Sequence, residues 1–414
     1  MKKVGIIGCG GIARVHAWAL NSVENTELAA YCDVEEEKAR ELAAYCDVEE
    51  EKAMELAAYC DVEEEKAREL ATSCRQEEAK TKKLSEDGLA GRVRICTDWR
   101  ELCDLDLDVV HVCTPHFLHV PMAKALLEHG KAVLMEKPCA ISVEQFEELK
   151  KADALHPGKL GFCFQNRYNG TIKLMDKMVR EERIGAILGG RAIVTWRRDE
   201  GYYAGSSWKG KWETEGGGAL INQSIHTLDL LLRYLGQSAK LPEGPREGLF
   251  PEKLSEGSDA GLSVKRSGKI AGVMQPIKLE ASMARHHFND PAIEVEDTVE
   301  AWMEFEDGKR GCFYASNAYA ADAPVYLELQ GERGRIVMNG REVSVYEDGK
   351  APRHYLRDKE TGIGKDYWGC GHKACIQDFY KSLAEGKPFQ NNLQGVESTF
   401  RTAMRIYEKA GRPT

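Results

Sequence analysis

Residues 2–21, KKVGIIGCGGIARVHAWALN, decide the fold. Val4 to Ile7 is a short apolar β-branched run of the length expected for a buried strand, and Ile12 to Leu20 carries helical spacing. Between them Gly8, Gly10 and Ala13 form a GxGxxA turn, with Gly11 and Ile12 inside it. Absent side chains there let a pyrophosphate approach backbone amides at a helix start. A second strand is expected over 27–32, ending at Asp33, which lies 20 residues beyond Ala13. That is where the acid that binds the adenosine ribose belongs. No arginine adjoins Asp33, and an acid would repel a 2′-phosphate, so the spacing points to NAD rather than NADP.

Asp33 sits inside a tandem repeat. ELAAYCDVEEEKAR at 27–40 returns at 41–54, with Met54 for Arg, and again at 55–68. The copies offer Asp47 and Asp61 in the same local sequence, but these would force a long loop before the strand. Asp33 is therefore the working choice and Asp61 the fallback. Fourteen residues are nearly four helical turns, so the two extra copies are expected to lengthen a helix by about 42 Å. A solvated rod or loop is preferred here over a dedicated coiled-coil contact.

Outward from this core, short strands at 93–96, 109–113 and 132–135 each lead into helical sequence, which defines a doubly wound parallel sheet over residues 1–139. The pattern then changes. Segments 191–198, 277–283, 298–305, 311–317 and 325–330 alternate, and EDGKR at 306–310 reads as a hairpin turn. Residues 140–414 are thus expected to form a substrate-binding and oligomerisation domain, α+β with a large, mainly antiparallel open sheet. Its bare face predicts a homodimer or homotetramer packed sheet on sheet, although partner helices could cover it as well. Residues 237–272 read as a long surface excursion.

The chain has 414 residues, enough for two or three domains at roughly 150 each. With 57 basic and 67 acidic side chains its formal charge is −10, which disfavours nucleic acid and anionic membrane surfaces. Thirteen scattered cysteines fit reduced thiols and a cytoplasmic location better than a disulfide framework. The first residues read as a strand rather than a signal peptide. No apolar run approaches the length needed to span a bilayer.

Chemistry concentrates at two places. Thr114, Pro115, His116 and His119 follow one strand, and Glu136, Lys137 and Pro138 follow another, at the carboxyl ends where open α/β sheets bind ligands. A lysine there can be desolvated into a base. The second place is WETEGGGALINQSIHTLDLLLRYL, residues 212–235. Asn222, His226, Asp229 and Arg233 fall on one polar helical face, opposite Ile225, Leu228, Leu232 and Leu235. His226 and Asp229 could share a metal, yet no CxxC or HExxH supports one, so no metal is expected. Aromatic and basic residues in QNRYN (165–169), TWRRDEGYY (195–203) and SSWKGKW (206–212) suit a polyhydroxylated, small-molecule carbohydrate. Expected substrate contacts are Asn222, Gln223, Arg167, Tyr168, Trp196, Arg198, Tyr203, Trp208 and Asp229.

Taken together, GCGGIA (8–13), CTPHFLH (113–119), EKP (136–138), QNRYN and the GGGALINQSIH stretch make the chain resemble the Gfo/Idh/MocA family, named for glucose-fructose oxidoreductase, inositol dehydrogenase and rhizopine catabolism. The resemblance implies an N-terminal Rossmann domain, a C-terminal domain with an open sheet used between subunits, a bound nicotinamide cofactor and a sugar or sugar-derivative substrate. It also implies Lys137 and His226 as the acid–base pair, and Gln165, Asn166 and Arg167 beside the nicotinamide and the substrate. The family's DxGxH motif is changed, with Asn222 for its Asp and Ser224 for its Gly. Hydride transfer between NAD and a ring carbon of a sugar, sugar acid or nucleotide sugar is the leading expectation. A redox-neutral glycosidase or lyase working through a transient keto sugar is the alternative, and a non-catalytic NAD or sugar sensor the third.

Overall fold

In the computed structural model, residues 1–46, 93–236, 274–286, 289–358 and 369–412 are described. Residues 47–68 of the extra repeat copies and the 237–272 excursion lie outside these residues.

Six parallel strands form the first sheet: β1 (Lys2–Ile7), β2 (Thr26–Cys32), β3 (Arg94–Cys96), β4 (Val109–Val112), β5 (Ala132–Met135) and β6 (Leu160–Phe162), in the order β3-β2-β1-β4-β5-β6. The strand order reverses between β1 and β4, so a crevice opens beyond their carboxyl ends, as doubly wound sheets require. β4 and β5 are buried along their whole length, which explains the unbroken apolar run of β5 and places His111 of β4 in the interior. β6 comes after residue 139, where the sequence pattern changes, and still hydrogen-bonds into this sheet beside β5. The first repeat copy supplies β2 and continues into helix α2 (Glu36–Cys46), so Asp33 is the acid at the end of the second strand.

The second sheet has eight strands: β7 (Ile187–Thr195), β8 (Lys278–Ala284), β9 (Thr298–Glu304), β10 (Arg310–Ser316), β11 (Tyr326–Gly331), β12 (Gly334–Asn339), β13 (Glu342–Glu347) and β14 (Arg353–Leu356). Their order is β14-β13-β12-β11-β7-β10-β9-β8, antiparallel except for the β7–β10 pair. The hairpin turn at 306–310 joins β9 to β10. Strand alternation buries Val299, Ala301 and Met303 of β9 and leaves Trp302 37% exposed on the other face. The buried face packs under a helix over Ile225–Leu235 and another over Leu393–Ala410.

Candidate active site

The glycine turn fits a dinucleotide. Gly8 has φ +83°, and a Cβ there would lie 2.6 Å from the carbonyl oxygen of Cys113 at the end of β4. Only glycine allows that approach. At Gly10 and Gly11 a Cβ would meet nothing within 4 Å, so the space over the start of helix α1 (Gly11–Leu20) is open. Asp33 is drawn in toward the turn, Oδ2 accepting from the Cys9 N–H at 2.8 Å and Oδ1 from the Glu35 N–H at 2.9 Å. Each carboxylate oxygen keeps a further lone pair for a ribose hydroxyl. Ala13 is fully buried behind the turn, and Ile12 precedes it.

The loops after β4 and β5 are tied together by a histidine. His119 bridges the Thr114 carbonyl at 2.9 Å and the Pro138 carbonyl at 2.8 Å, with Pro115 and His116 between the strand and its helix. The Glu136 carboxylate accepts from His16 Nε2 at 2.9 Å. His16 Nδ1 faces His111 Nδ1 at 2.8 Å, and His111 Nε2 faces the Tyr380 hydroxyl at 3.0 Å. One assignment satisfies every member: Tyr380 donates to His111, His111 to His16 and His16 to Glu136. Burial pushes the Glu136 carboxyl upward, but the His16 bond and nearby positive charge hold it well below the usual range. A permanent anion therefore stands next to Lys137. His16, Glu136 and Cys163 bring ligand-type atoms within 4.8 Å of one another. Both His16 nitrogens are already engaged, and the Cys163 thiol is held well above its ordinary value by Cys375 and burial. The trio is a hydrogen-bonded core rather than an open ligand set.

Lys137 Nζ donates to the Asn222 backbone carbonyl at 2.7 Å and to Asn222 Oδ1 at 3.1 Å. Burial lowers its pKa, opposed by Glu136 and Glu215. Asn222 belongs to a π-helical turn, Ala219–Ser224, that precedes the α-helix beginning at Ile225. The extra residue per turn shifts the register across 219–225, whereas His226, Asp229 and Arg233 share one regular α-helix, and the expected polar face divides along its length, one and two turns beyond His226. Asn222 and His226 face the Lys137 side, whereas Asp229 and Arg233 make buried ion pairs elsewhere. His226 packs edge-on against Phe164 at 5.5 Å, and its Nδ1 is buried without a partner. Burial and the charge of Lys137 push its pKa down to about 3, so it is neutral. Gln165 Oε1 and Asn166 Oδ1, in the turn after β6, are also buried without partners. Such orphaned atoms mark where a polar ligand belongs.

Three expected substrate contacts are corrected. Arg167 is clamped bidentately on Asp229, Nε to Oδ2 at 2.7 Å and Nη2 to Oδ1 at 2.5 Å, and donates further to Asn391 and the Gly395 carbonyl. Asp229 also accepts from Thr399. Four of the five Arg167 N–H groups and both Asp229 oxygens are engaged within the protein, and together they fasten the His226 helix to the C-terminal helix. Tyr168 is 2% exposed and donates to Asp378 at 2.8 Å, a buried anchor.

The remaining aromatic and basic residues form a wall. Arg198 Nε donates to Gln223 Oε1 at 3.0 Å and Nη1 to Asp322, over the buried Trp196 ring. Gln223 Nε2 donates to the Tyr202 hydroxyl at 2.8 Å. Lys209 Nζ lies 3.8 Å from the Tyr202 ring centre, and the Trp208 ring lies 4.7 Å from that of His116. Tyr203 is buried beneath, edge-on to Tyr202. Tyr202 and Lys209 lie in the aromatic and basic segments singled out in the sequence but were not named singly, and Glu215 was missed. Glu215, just before the glycine triplet, is fully buried and accepts from Asn222 Nδ2 at 2.6 Å, whereas Glu213 two residues earlier is exposed. That alternation was the only local signal.

A Rossmann sheet with an open glycine turn, joined to an open-sheet domain that brings a half-buried lysine against an Asn–His helix start, defines a dinucleotide-dependent oxidoreductase. Two models of one family match the chain: the oxidoreductase family's NAD-binding Rossmann fold over residues 2–160 and its C-terminal alpha/beta domain over 176–388. The protein belongs to this Gfo/Idh/MocA oxidoreductase family. It is 28% identical to levoglucosan dehydrogenase of Pseudarthrobacter phenanthrenivorans over 316 residues, covering 70% of this chain and 75% of that one. Glucose-6-phosphate 3-dehydrogenase of Bacillus subtilis is 25% identical over 59% of this chain, a match spanning only 57% of the relative. In fold it matches the WlbA dehydrogenase of Bordetella pertussis in complex with NADH and UDP-GlcNAcA, with a TM-score of 0.69 over 99% of this chain and 95% of that one, at 20% identity.

Proposed function

We propose that the protein oxidises a ring carbon of a sugar or sugar derivative with NAD, Lys137 acting as the base. The observation that carries this reading is the pair of bonds from Lys137 Nζ to Asn222. A neutral amine has two N–H donors and one lone pair. With both donors spent on the Asn222 oxygens, the lone pair is left to take a hydroxyl proton. Burial of the lysine favours that neutral form. His226, neutral and with an orphaned Nδ1, is placed to hold a second hydroxyl. NAD, held by Gly8, Gly10, Gly11 and Asp33 with Gln165 and Asn166 beside it, supplies the hydride acceptor. The wall of Tyr202, Trp208, Lys209 and Gln223 offers apolar faces and directed donors for a sugar ring, and the sugar dehydrogenases among its relatives support that substrate class.

The test is NADH formation at 340 nm, with mass detection of products, across free sugars, glycosides, uronates and sugar nucleotides. Stoichiometric NADH is the expected result, and a Lys137→Ala enzyme with the parent rate refutes the assignment. A second reading rests on His226, since a second neutral base beside the first is what cleavage through a keto sugar requires: oxidation acidifies the adjacent C–H, and loss of that proton expels the glycosidic oxygen. Cleaved product without NADH accumulation selects it.

We further place the protein in the cytoplasm as a homo-oligomer. The ten cysteines whose side chains are described are unbridged, as a reducing compartment requires. Among the described residues no helix is long and apolar enough to cross a membrane. On the bare sheet face the exposed Trp302 lies near Arg310, and Arg191 lies over Tyr326, which suits the same face of a second copy.

A further inference from the structure

Asn222 cannot exchange a proton, yet it is the residue that Lys137 grips. Something must decide which way its amide points, because oxygen and nitrogen ends present opposite chemistry to the lysine. Glu215 touches the other end. Its Oε1 accepts from Asn222 Nδ2 at 2.6 Å, and its Oε2 accepts from the Gly210 backbone N–H at 2.5 Å.

We propose that Glu215 is the positioning residue of this site: its carboxylate accepts from the Asn222 amide, so the amide oxygen is turned to Lys137 and the lysine lone pair is left free for substrate. The proposal rests on Lys137 as the base, and it goes beyond that reading by naming a carboxyl that never contacts the substrate. Ionised carboxylate only accepts, so the Asn222 amide has one permitted orientation. Protonation reverses it. The Gly210 N–H is fixed, hence a proton on Glu215 must sit on Oε1 and donate to Asn222. The amide then turns, Oδ1 toward Glu215 and Nδ2 toward Lys137, where an amide N–H occupies the lone pair. One proton on Glu215 thus closes the base.

Burial brings this proton into reach. It pushes the Glu215 pKa up to about 7, with Glu296 adding to the rise and Lys209 and the two N–H bonds opposing it. The other groups facing it are Lys137, Tyr203 and His116, whose ring bonds the Glu215 backbone carbonyl at 2.7 Å.

The test reads Lys137 itself, in the full-length protein without cofactor or substrate, so it is independent of the sugar. Reductive methylation with formaldehyde across pH 6 to 11, followed by peptide mass spectrometry, gives the midpoint at which Nζ becomes reactive. Glu215→Gln presents its oxygen to Gly210 and its NH2 to Asn222, which mimics the protonated state and removes a charge that raises Lys137. Its midpoint is expected at least one pH unit below the parent's, with a lower limiting rate above the midpoint because the turned amide N–H holds the lone pair. Glu215→Gln combined with Asn222→Asp exchanges donor and acceptor: the introduced amide donates to one oxygen of the new carboxylate, and the other oxygen faces Lys137. The midpoint is expected to return to the parent value or above. A Glu215→Gln midpoint equal to the parent's, or a double variant no different from the single, overturns the proposal. If Glu215→Gln fails to fold, as judged by loss of NADH fluorescence change, Asn222→Ala decides: a midpoint at least half a pH unit lower is expected, and an unchanged one refutes the proposal. Loss of activity in Lys137→Ala is a separate measurement, so failure of the base assignment and failure of the Glu215 role are distinguishable.

Discussion

Replacing Arg167 with Met asks whether the residue binds substrate or holds the fold. The Arg167 and Asp229 side chains are 7% and 2% exposed, so the figure for a surface ion pair, about 0–1 kcal/mol, does not apply. Removing one partner of a buried pair leaves an uncompensated charge and costs about 3–5 kcal/mol. In Arg167→Met, Asp229 would keep only the Thr399 hydroxyl, and Asn391 and the Gly395 carbonyl would each lose a donor. A loss toward the upper end of that range is expected, read as a lower denaturant midpoint by tryptophan fluorescence. Adding Asp229→Leu removes the stranded charge, and the double variant is expected to be more stable than Arg167→Met alone, because an apolar pair of similar volume replaces a buried ion pair at little cost. KM measured on the surviving folded fraction is expected to stay near the parent's. An Arg167→Met protein of parental stability with a KM raised tenfold would refute the assignment and return Arg167 to the substrate.

Gly8→Ala forces a Cβ to within 2.6 Å of a backbone oxygen at positive φ, so NADH binding by fluorescence titration is expected to be lost; retained affinity contradicts the glycine-turn site. Deleting residues 41–68 leaves Asp33 and β2 in place, and NAD affinity is expected to stay within twofold, whereas Asp33→Ala is expected to weaken it at least tenfold. His226 and His372 have pKa values pushed by burial to about 3 and about 4, and burial also holds His111 and His116 well below their ordinary value. With His119, also lowered by burial, five histidines take up protons only on unfolding below pH 6.5, so stability should fall as pH drops from 6.5 toward 4; Asp153, Glu215 and Glu296, raised by burial, oppose this as three groups against five. A denaturant midpoint that rises over that interval refutes the histidine burial. Trp302→Arg on the bare sheet face should reduce the mass in light scattering to that of one chain, and an unchanged oligomer places the contact elsewhere.

How much was legible in sequence follows from how local each signal is. The glycine turn, Asp33 and Lys137 lie within single strand–turn units, where spacing and strand position fix their surroundings, and β2 falls where the first repeat copy places it. Arg167 and Asp229 were misread because a buried charge reads alike whether it meets a ligand or another residue, and these two are 62 positions apart. Helical spacing grouped Asn222, His226, Asp229 and Arg233 on one face, but spacing does not show that one and two turns beyond His226 that face meets Arg167 and Asp176 rather than Lys137. Glu215 was missed since its burial is set by a tertiary contact, and Glu213 beside it is an ordinary surface acid. β12 to β14, short and partly polar, gave too weak an alternation to read.

The most direct test of the central claim uses a sugar from the 340 nm panel carrying deuterium at each ring carbon in turn. The account expects deuterium to appear in NADH from one carbon only, with the parent, and expects at least a hundredfold slower transfer with Lys137→Ala at unchanged NADH affinity. Transfer from no carbon, or transfer at the parent rate without Lys137, would contradict it.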